Sequence, residues 1–247
     1  MRILHQLNYS TLDIILPCYN PPVNWNEIVI TSYKEICKAL PEIKIQLILV
    51  NDGPSVSVTD IAVSFIKNAV PIFQHIQYQQ NKGKGYALRK GVERSTAEIC
   101  IYTDIDFPYT IESFLKIFNI LRKDDSDIVA GIKNKTYYTN VPAIRKFISK
   151  FLRSVSAFFL RIKITDTQCG LKGFNEKGKQ IFLQTTINRY LFDLEFIFLA
   201  SRRKEIKLVP VEISLRQGVE FTKLPYKLLF TEMRNFLKIV LRSIFAR

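Results

Sequence analysis

The stretch Glu98-Ile-Cys-Ile-Tyr-Thr-Asp104-Ile-Asp106-Phe-Pro108 carries an apolar strand straight into two carboxylates. Strand side chains alternate between faces, so Asp104 and Asp106 share a face only while the chain stays extended. Pro108 has no N–H to give an interior ladder and marks the exit from the sheet. Two hard oxygen ligands with no nearby His or Cys favour Mg²⁺ or Mn²⁺ over zinc, and such ions complete their shell with water and substrate phosphates. The same Asp-X-Asp spacing also serves in loops as a turn or helix cap.

Outward from this strand the pattern repeats. Upstream, Leu12–Cys18, Ile45–Val50 and Ile72–Tyr78 read as strands, and helices are expected near Trp25–Leu40, Asp60–Ala69 and Tyr86–Arg94. Downstream, a helix near Ile111–Leu121 precedes a strand at Asp127–Ala130. This βαβα series predicts an α/β fold with a mostly parallel central sheet flanked by helices, its ligands beyond the carboxyl ends of the strands. Three of those ends carry polar candidates: Tyr19-Asn20, Asn51-Asp52-Gly53 and the Asp104/Asp106 pair. The second half reads as a helix at Ala143–Leu160, an irregular segment, a helix, a strand at Ile206–Ile213 and a basic amphipathic helix at Tyr226–Phe245. In the last helix Leu229, Met233, Phe236, Leu237, Val240 and Ile244 recur at helical spacing, with Arg234, Lys238, Arg242 and Arg247 across much of the rest. Such a helix either packs on the domain or lies in a membrane interface.

At 247 residues a single domain is the default. Cys18, Cys37, Cys100 and Cys169 show no C-x-x-C spacing, which fits a reducing, cytoplasmic setting. The N-terminus lacks the apolar core of a signal peptide, and no run approaches the ~18 apolar residues of a spanning helix, so a soluble or peripheral protein is expected. The net charge of +14 is lopsided: residues 1–122 carry +1 and residues 123–247 carry +13. The basic half is expected to meet something anionic: a nucleic acid, an acidic membrane surface or a phosphorylated lipid. Nucleic acid is disfavoured, because no recognised motif is present and the basic positions are dispersed.

Asp52 leaves its strand where an acceptor carboxylate suits the donors of a base or ribose, although Asp-Gly also forms turns. Asn81-Lys-Gly-Lys-Gly85 precedes a helix; its glycines allow close backbone approach, and the helix N–H groups and lysines attract a diphosphate. It matches neither G-x-G-x-x-G nor G-x-x-x-x-G-K-[ST], which argues against dehydrogenase and P-loop classes.

Taken in order, Ile15-Leu-Pro-Cys-Tyr-Asn20, Val50-Asn-Asp-Gly53, Asn81–Gly85, Asp104-Ile-Asp106, Asp166-Thr-Gln-Cys-Gly-Leu-Lys172 and Phe192-Asp-Leu-Glu195 resemble family 2 glycosyltransferases. The match within that family is to the dolichyl-phosphate mannose synthase and dolichyl-phosphate glucosyltransferase branch. It spans about residues 12–240, and the Asp-Thr-Gln-Cys-Gly segment is its most specific part. The resemblance implies a GT-A fold over residues 1–247, with a nucleotide-sugar half at about 12–131 and an acceptor half at about 132–247. It also implies Mg²⁺ or Mn²⁺ and an inverting transfer of a hexose from a UDP-sugar or GDP-mannose to polyprenyl or dolichyl phosphate. Residue by residue, Pro17, Tyr19 and Asp52 would surround the nucleoside, Lys84 the donor, and Asp104 and Asp106 the ribose, metal and diphosphate. Arg145 and Arg216 would lie near the acceptor phosphate and leaving diphosphate, and Asp166 and Gln168 at the sugar or acceptor end.

A phosphate monoester, with its second pKa near ~6, is largely dianionic at neutral pH and attacks without a general base. His5 and His75 stand in unpromising places for one. The chain departs from the family pattern at Pro21-Pro22, where a Glu is common, at Pro108, where a metal-binding Gln is frequent, and at Lys133, which replaces the Arg of Gly-Ser-Arg. Lysine keeps the charge but loses the bidentate fork. Two other transferases stay open: one acting on a glycan hydroxyl, with Asp166 as base, and a nucleotidyltransferase making the nucleotide-sugar itself.

Overall fold

The computed structural model describes residues 9–123, 126–133, 164, 166–219 and 226–245, the last helix contributing its side chains over 231–243. Strands Thr11–Cys18 (β1), Lys44–Asn51 (β2), Phe73–Gln77 (β3), Ile99–Tyr102 (β4), Ile128–Lys133 (β5), Lys172–Phe174 (β6) and Leu208–Ile213 (β7) make one sheet. The helices among the described residues are Trp25–Ala39 (α1), Asp60–Ala69 (α2), Lys84–Arg94 (α3), Ile111–Arg122 (α4), Glu176–Phe182 (α5), Phe192–Ser201 (α6) and Tyr226–Phe245 (α7). The strand order is β3-β2-β1-β4-β6-β5-β7. Only β6 runs against the others, paired antiparallel with both β4 and β5.

The buried strands alternate between two cores. Leu12, Ile14 and Leu16 of β1 face Val29, Tyr33 and Ile36 of α1 and Phe114, Ile117 and Phe118 of α4. Ile15 of β1 and Ile48 and Val50 of β2 face the other way, onto Ala87, Leu88 and Val92 of α3 and Phe192 and Phe196 of α6. Each such fully buried aliphatic or aromatic side chain contributes roughly 1.5–3 kcal/mol of transfer free energy. Thr59 and Thr110 fix the starts of α2 and α4, their hydroxyls accepting from the N–H groups of Ala62 and Ser113.

The parallel sheet and the limits of α1, α2 and α7 follow the sequence pattern closely. Three differences matter. First, α3 begins at Lys84, not Tyr86, so Lys84 lies in the first helical turn. Second, β6 and α5 emerge from what reads as irregular chain. Lys172-Gly173-Phe174 has no apolar run to announce a strand, and its pairing comes from neighbours on both sides, Tyr102 and Ala130 both opposing Lys172. Third, α7 buries Phe236 and Ile239 but exposes Met233 and Leu237, so its contact stripe is narrower than its apolar pattern. The expected helix at Ala143–Leu160 lies outside the described residues.

Because β6 is reversed, the segment leading into it, residues 166–171, enters at the same sheet edge where β1, β2, β4 and β5 end. That single antiparallel strand brings the Asp166–Lys172 segment to the Asp104/Asp106 turn.

Candidate active site

The chain leaves β4 at Tyr102 and turns sharply. The Phe107 N–H donates to the Asp104 carbonyl at 3.0 Å, and Phe107 sits at φ 43°, a left-handed conformation that costs a bulky residue energy. Past the turn, residues 108–110 run beside 214–216: Thr110 N donates to Ser214 O at 3.0 Å and Arg216 N to Pro108 O at 2.9 Å. Pro108 therefore takes a position that needs a carbonyl acceptor.

Across from this turn, Lys84 Nζ donates to Asp104 Oδ1 at 2.5 Å. Burial works to lower the Lys84 pKa, but the charges of Asp104 and Asp193 outweigh it and hold the ammonium above its usual range. Asp106 goes the other way for a carboxyl: burial first, and then the Asp104 charge, push its pKa up. Asp104 and Asp106 thus form a pair of like charges with one fixed cation beside it.

The Asp166–Lys172 segment closes the site from the β5/β6 side. A Cβ on Gly170 would stand 2.6 Å from Asp104 Oδ2, so only glycine admits this approach. The Tyr109 hydroxyl accepts from the Gly170 N–H at 2.9 Å. Asp166 Oδ2 accepts from the Lys133 backbone N–H at 3.0 Å, and its other oxygen lies 3.9 Å from Lys133 Nζ. Behind the loop, Lys172 is fully buried and donates to the Cys169 carbonyl at 2.5 Å and to Asp193 Oδ1 at 2.6 Å. The Tyr102 hydroxyl donates to the same Asp193 oxygen at 2.5 Å. Burial and Asp193 raise the Tyr102 pKa, keeping it a donor.

The remaining candidates fall into different settings. Pro17 is buried at the end of β1, and Tyr19, just beyond it, is half exposed. Gln168 is partly exposed in the turn after Asp166. Asp52 is buried, and its carboxylate is taken up by the Asn81–Gly83 loop: Oδ1 accepts from Tyr78 Oη at 2.7 Å and Lys82 N at 2.8 Å, Oδ2 from Asn81 Nδ2 at 2.9 Å and Gly83 N at 2.8 Å. Four donors fill the acceptor capacity of one carboxylate. Gly83 follows at φ 105°, where a Cβ would strike the Asn188 carbonyl at 2.5 Å. Arg216 donates to the Tyr109 carbonyl at 3.1 Å and to Ser32 Oγ at 3.1 Å, with Glu35 at 3.5 Å. Its guanidinium ties the 104–109 turn to α1. Arg145 lies outside the described residues. Sequence reasoning assigned no part to Tyr78, Tyr109, Lys172 or Asp193. Of these, Lys172 and Asp193 lie inside the quoted motifs, where their types, an internal lysine and aspartate in apolar surroundings, signal a buried pair.

Among the described residues no group of three or more His, Cys, Asp or Glu converges as a complete metal cage. Asp104 and Asp106 nevertheless suit a hard divalent cation: each supplies carboxylate oxygens, and both burial and the Asp104 charge, which raise the Asp106 pKa, are penalties that a bound cation would offset. Diphosphate oxygens and water would supply the rest of the shell.

The same overall arrangement recurs in solved structures. Mannosyl-3-phosphoglycerate synthase from Rubrobacter xylanophilus aligns with a TM-score of 0.65 over 96% of this chain and 74% of that one, at 13% identity. Glucosyl-3-phosphoglycerate synthase from Mycobacterium tuberculosis, solved with Mn²⁺, UDP and glucosyl-3-phosphoglycerate, aligns with a TM-score of 0.61 over 95% and 80%, at 15% identity. The fold is GT-A, a mostly parallel sheet between helices with its candidate site at the carboxyl edge. The model of Glycosyl transferase family 2 matches residues 13–181, more than half of the chain, and the chain belongs to that family.

Among curated proteins, a dolichyl-phosphate beta-glucosyltransferase of Dictyostelium discoideum is 28% identical over 203 residues, 77% of this chain and 62% of the relative. The human and Saccharomyces cerevisiae proteins of that name are 27% and 24% identical, over 76% and 81% of this chain and 62% and 66% of theirs. The chain spans about half to two thirds of the length of these curated relatives. No helix among the described residues is long and apolar enough to cross a membrane.

Proposed function

We propose that this chain transfers a hexose, with inversion, from a nucleotide-diphosphate sugar to a polyprenyl or dolichyl phosphate, with UDP-glucose as the first donor to test and GDP-mannose as the second. The observation that carries the reading is the convergence of Asp104, Asp106 and Lys84 with the Gly170 turn at one sheet edge. It is supported by the names of the curated relatives, which join a glucosyl donor to dolichyl phosphate.

In this reading Asp104 and Asp106 hold Mg²⁺ or Mn²⁺, which when bound supplies positive charge to the departing diphosphate. Lys84 fixes the orientation of Asp104. Asp52 shapes the Asn81–Gly85 loop that receives the donor, beside Pro17 and Tyr19, while Gln168 faces the sugar. The acceptor phosphate, already dianionic in large part, supplies its own nucleophile. Lys133, held by Asp166, and Arg145 are the cations assigned to that phosphate. Arg216 reaches the leaving diphosphate if it exchanges Glu35 for it. Residues 12–131 would form the donor half and 132–247 the acceptor half of one domain.

A glycan-hydroxyl acceptor would need a base. Asp166, the candidate, has its carboxylate engaged by the Lys133 N–H and ammonium, which favours the phosphate acceptor. His75 lies within β3 with a buried Nε2 that has no hydrogen-bond partner among the described residues, and burial lowers its pKa. The test is incubation with radiolabelled donors, Mn²⁺ and polyprenyl phosphate in detergent. Organic-extractable label is expected; none of it, with label passing instead to an oligosaccharide supplied in a parallel incubation, would replace this reading.

A further inference from the structure

A polar cleft adjoins the donor loop at Lys82 and otherwise lies outside the residues assigned to transfer. It has a volume of about 280 Å³ and is walled by Lys82, Thr186, Asn188, Arg189, Arg234 and Lys238, with no carboxylate in its lining. The walls are built rather than incidental. On one side the Asn188 carbonyl accepts from Tyr86 N at 3.2 Å, and Arg89 donates to the Ile187 carbonyl at 2.8 Å, so the 186–189 loop is seated on α3. Below it, Glu195 accepts from Thr186 N and Ile187 N, both at 2.8 Å, and from Arg242 at 2.5 Å. On the α7 side, Glu232 accepts from Tyr190 N at 3.3 Å and Leu191 N at 3.0 Å. Glu232 also bonds the Asn235 side chain and interacts with the Arg189 charge, so one carboxylate beside the cleft stands against its four cations.

The same helix carries an apolar row on its outer surface. Met233, Leu237 and Leu241, four residues apart, are each about half exposed, at 52%, 53% and 52%. Arg234 and Lys238 each follow one residue later and so form the adjacent row. A row of apolar side chains beside a row of cations is the pattern of a helix lying in a bilayer interface, and cations in excess of carboxylates complement lipid phosphates.

We infer that this face docks on an anionic phospholipid bilayer, with a lipid phosphate in the Lys82/Arg189/Arg234/Lys238 cleft and the Met233–Leu237–Leu241 row in the acyl boundary. The inference deepens the lipid-acceptor reading, on which its purpose rests. Lys82 belongs both to the cleft and to the loop held by Asp52, so docking would lie next to the donor loop.

The experiment is vesicle flotation of the full chain, without donor or metal, on phosphatidylcholine alone and on phosphatidylcholine with phosphatidylglycerol. Binding to the anionic vesicles is expected, weakening as salt rises. Arg234→Gln/Lys238→Gln is expected to lower partitioning about 30-fold, in line with the hold of an anionic surface on each basic side chain. Leu237→Ser/Leu241→Ser should lower it as well, while Lys34→Gln/Lys38→Gln, removing equal charge from exposed positions on α1, should leave it unchanged. Equal loss in the α1 variant would overturn the site in favour of diffuse charge. Binding of inorganic phosphate or of an RNA oligonucleotide at the cleft, with no flotation, would overturn the bilayer as its occupant. Flotation without transfer to polyprenyl phosphate in detergent would sink the acceptor reading and leave docking standing; transfer without flotation would do the reverse.

Discussion

Asp52 and Asp106 both leave parallel strands at the same sheet edge, yet their surroundings are opposite. Asp52 receives four hydrogen bonds from one loop, whereas Asp106 has burial and the neighbouring Asp104 charge against it. A carboxylate saturated with donors belongs to the scaffold, because its removal strands buried N–H groups. A carboxylate held beside a like charge is one whose ionised form a bound cation would stabilise. The edge thus holds one aspartate that shapes the loop and a pair of like charges whose fixed cation is Lys84.

The largest expected effect falls on the first of these. Asp52→Ala leaves the backbone N–H groups of Lys82 and Gly83 and the Tyr78 hydroxyl without their acceptor, Asn81 keeping only the Asp52 carbonyl, at a cost of about 4 kcal/mol. Thermal unfolding should fall by about 10 °C; an unchanged midpoint would mean that the loop does not depend on it. Asp106→Asn should do the reverse, leaving the unfolding midpoint equal or higher while transfer drops about 100-fold or more, the scale of losing one charge-stabilising group at a reaction centre. Lys84→Met would leave Asp104 without its fixed cation, and nucleoside-diphosphate affinity measured by titration calorimetry should weaken about tenfold.

The smallest effect concerns a third strand-end carboxylate. Glu98, at the opposite end of β4, accepts through Oε2 from the N–H and hydroxyl groups of Ser10 and Thr11. Its slight burial works to raise its pKa, but those hydrogen bonds prevail and lower it. The stability that they contribute is present above the ordinary carboxylate pKa and lost as pH falls through the lowered one. Glu98→Gln should therefore cost under about 1 kcal/mol at pH 7, because the group is solvent-exposed, and nothing near pH 2. A loss as large as that of Asp52→Ala would erase the distinction drawn between buried and exposed carboxylates.

Much of this arrangement was legible in the sequence. The unbroken apolar strands, the glycine loop and the polar strand ends carry local signals, and their shared edge follows from parallel topology. What escaped was non-local. The reversed strand at Lys172–Phe174 has no apolar pattern, since its place is set by pairing with β4 and β5. The saturation of Asp52 depends on a loop 26 to 31 residues away, and Asp-Gly reads equally as a turn. On α7, helical periodicity marks which residues are apolar but not how much of that stripe finds a partner, which is why Met233 and Leu237 stand in solvent.

The claim that the edge carboxylates serve a metal-assisted transfer to a lipid phosphate meets its most direct test in one assay. UDP-[¹⁴C]glucose and polyprenyl phosphate are incubated with the wild-type chain and Asp106→Asn, each with and without Mn²⁺, and organic-extractable label is counted. Label formed by the wild type only with Mn²⁺, and at least about 100-fold less by the variant, is the predicted result. Equal label from both proteins, with Mn²⁺ making no difference, would contradict the account.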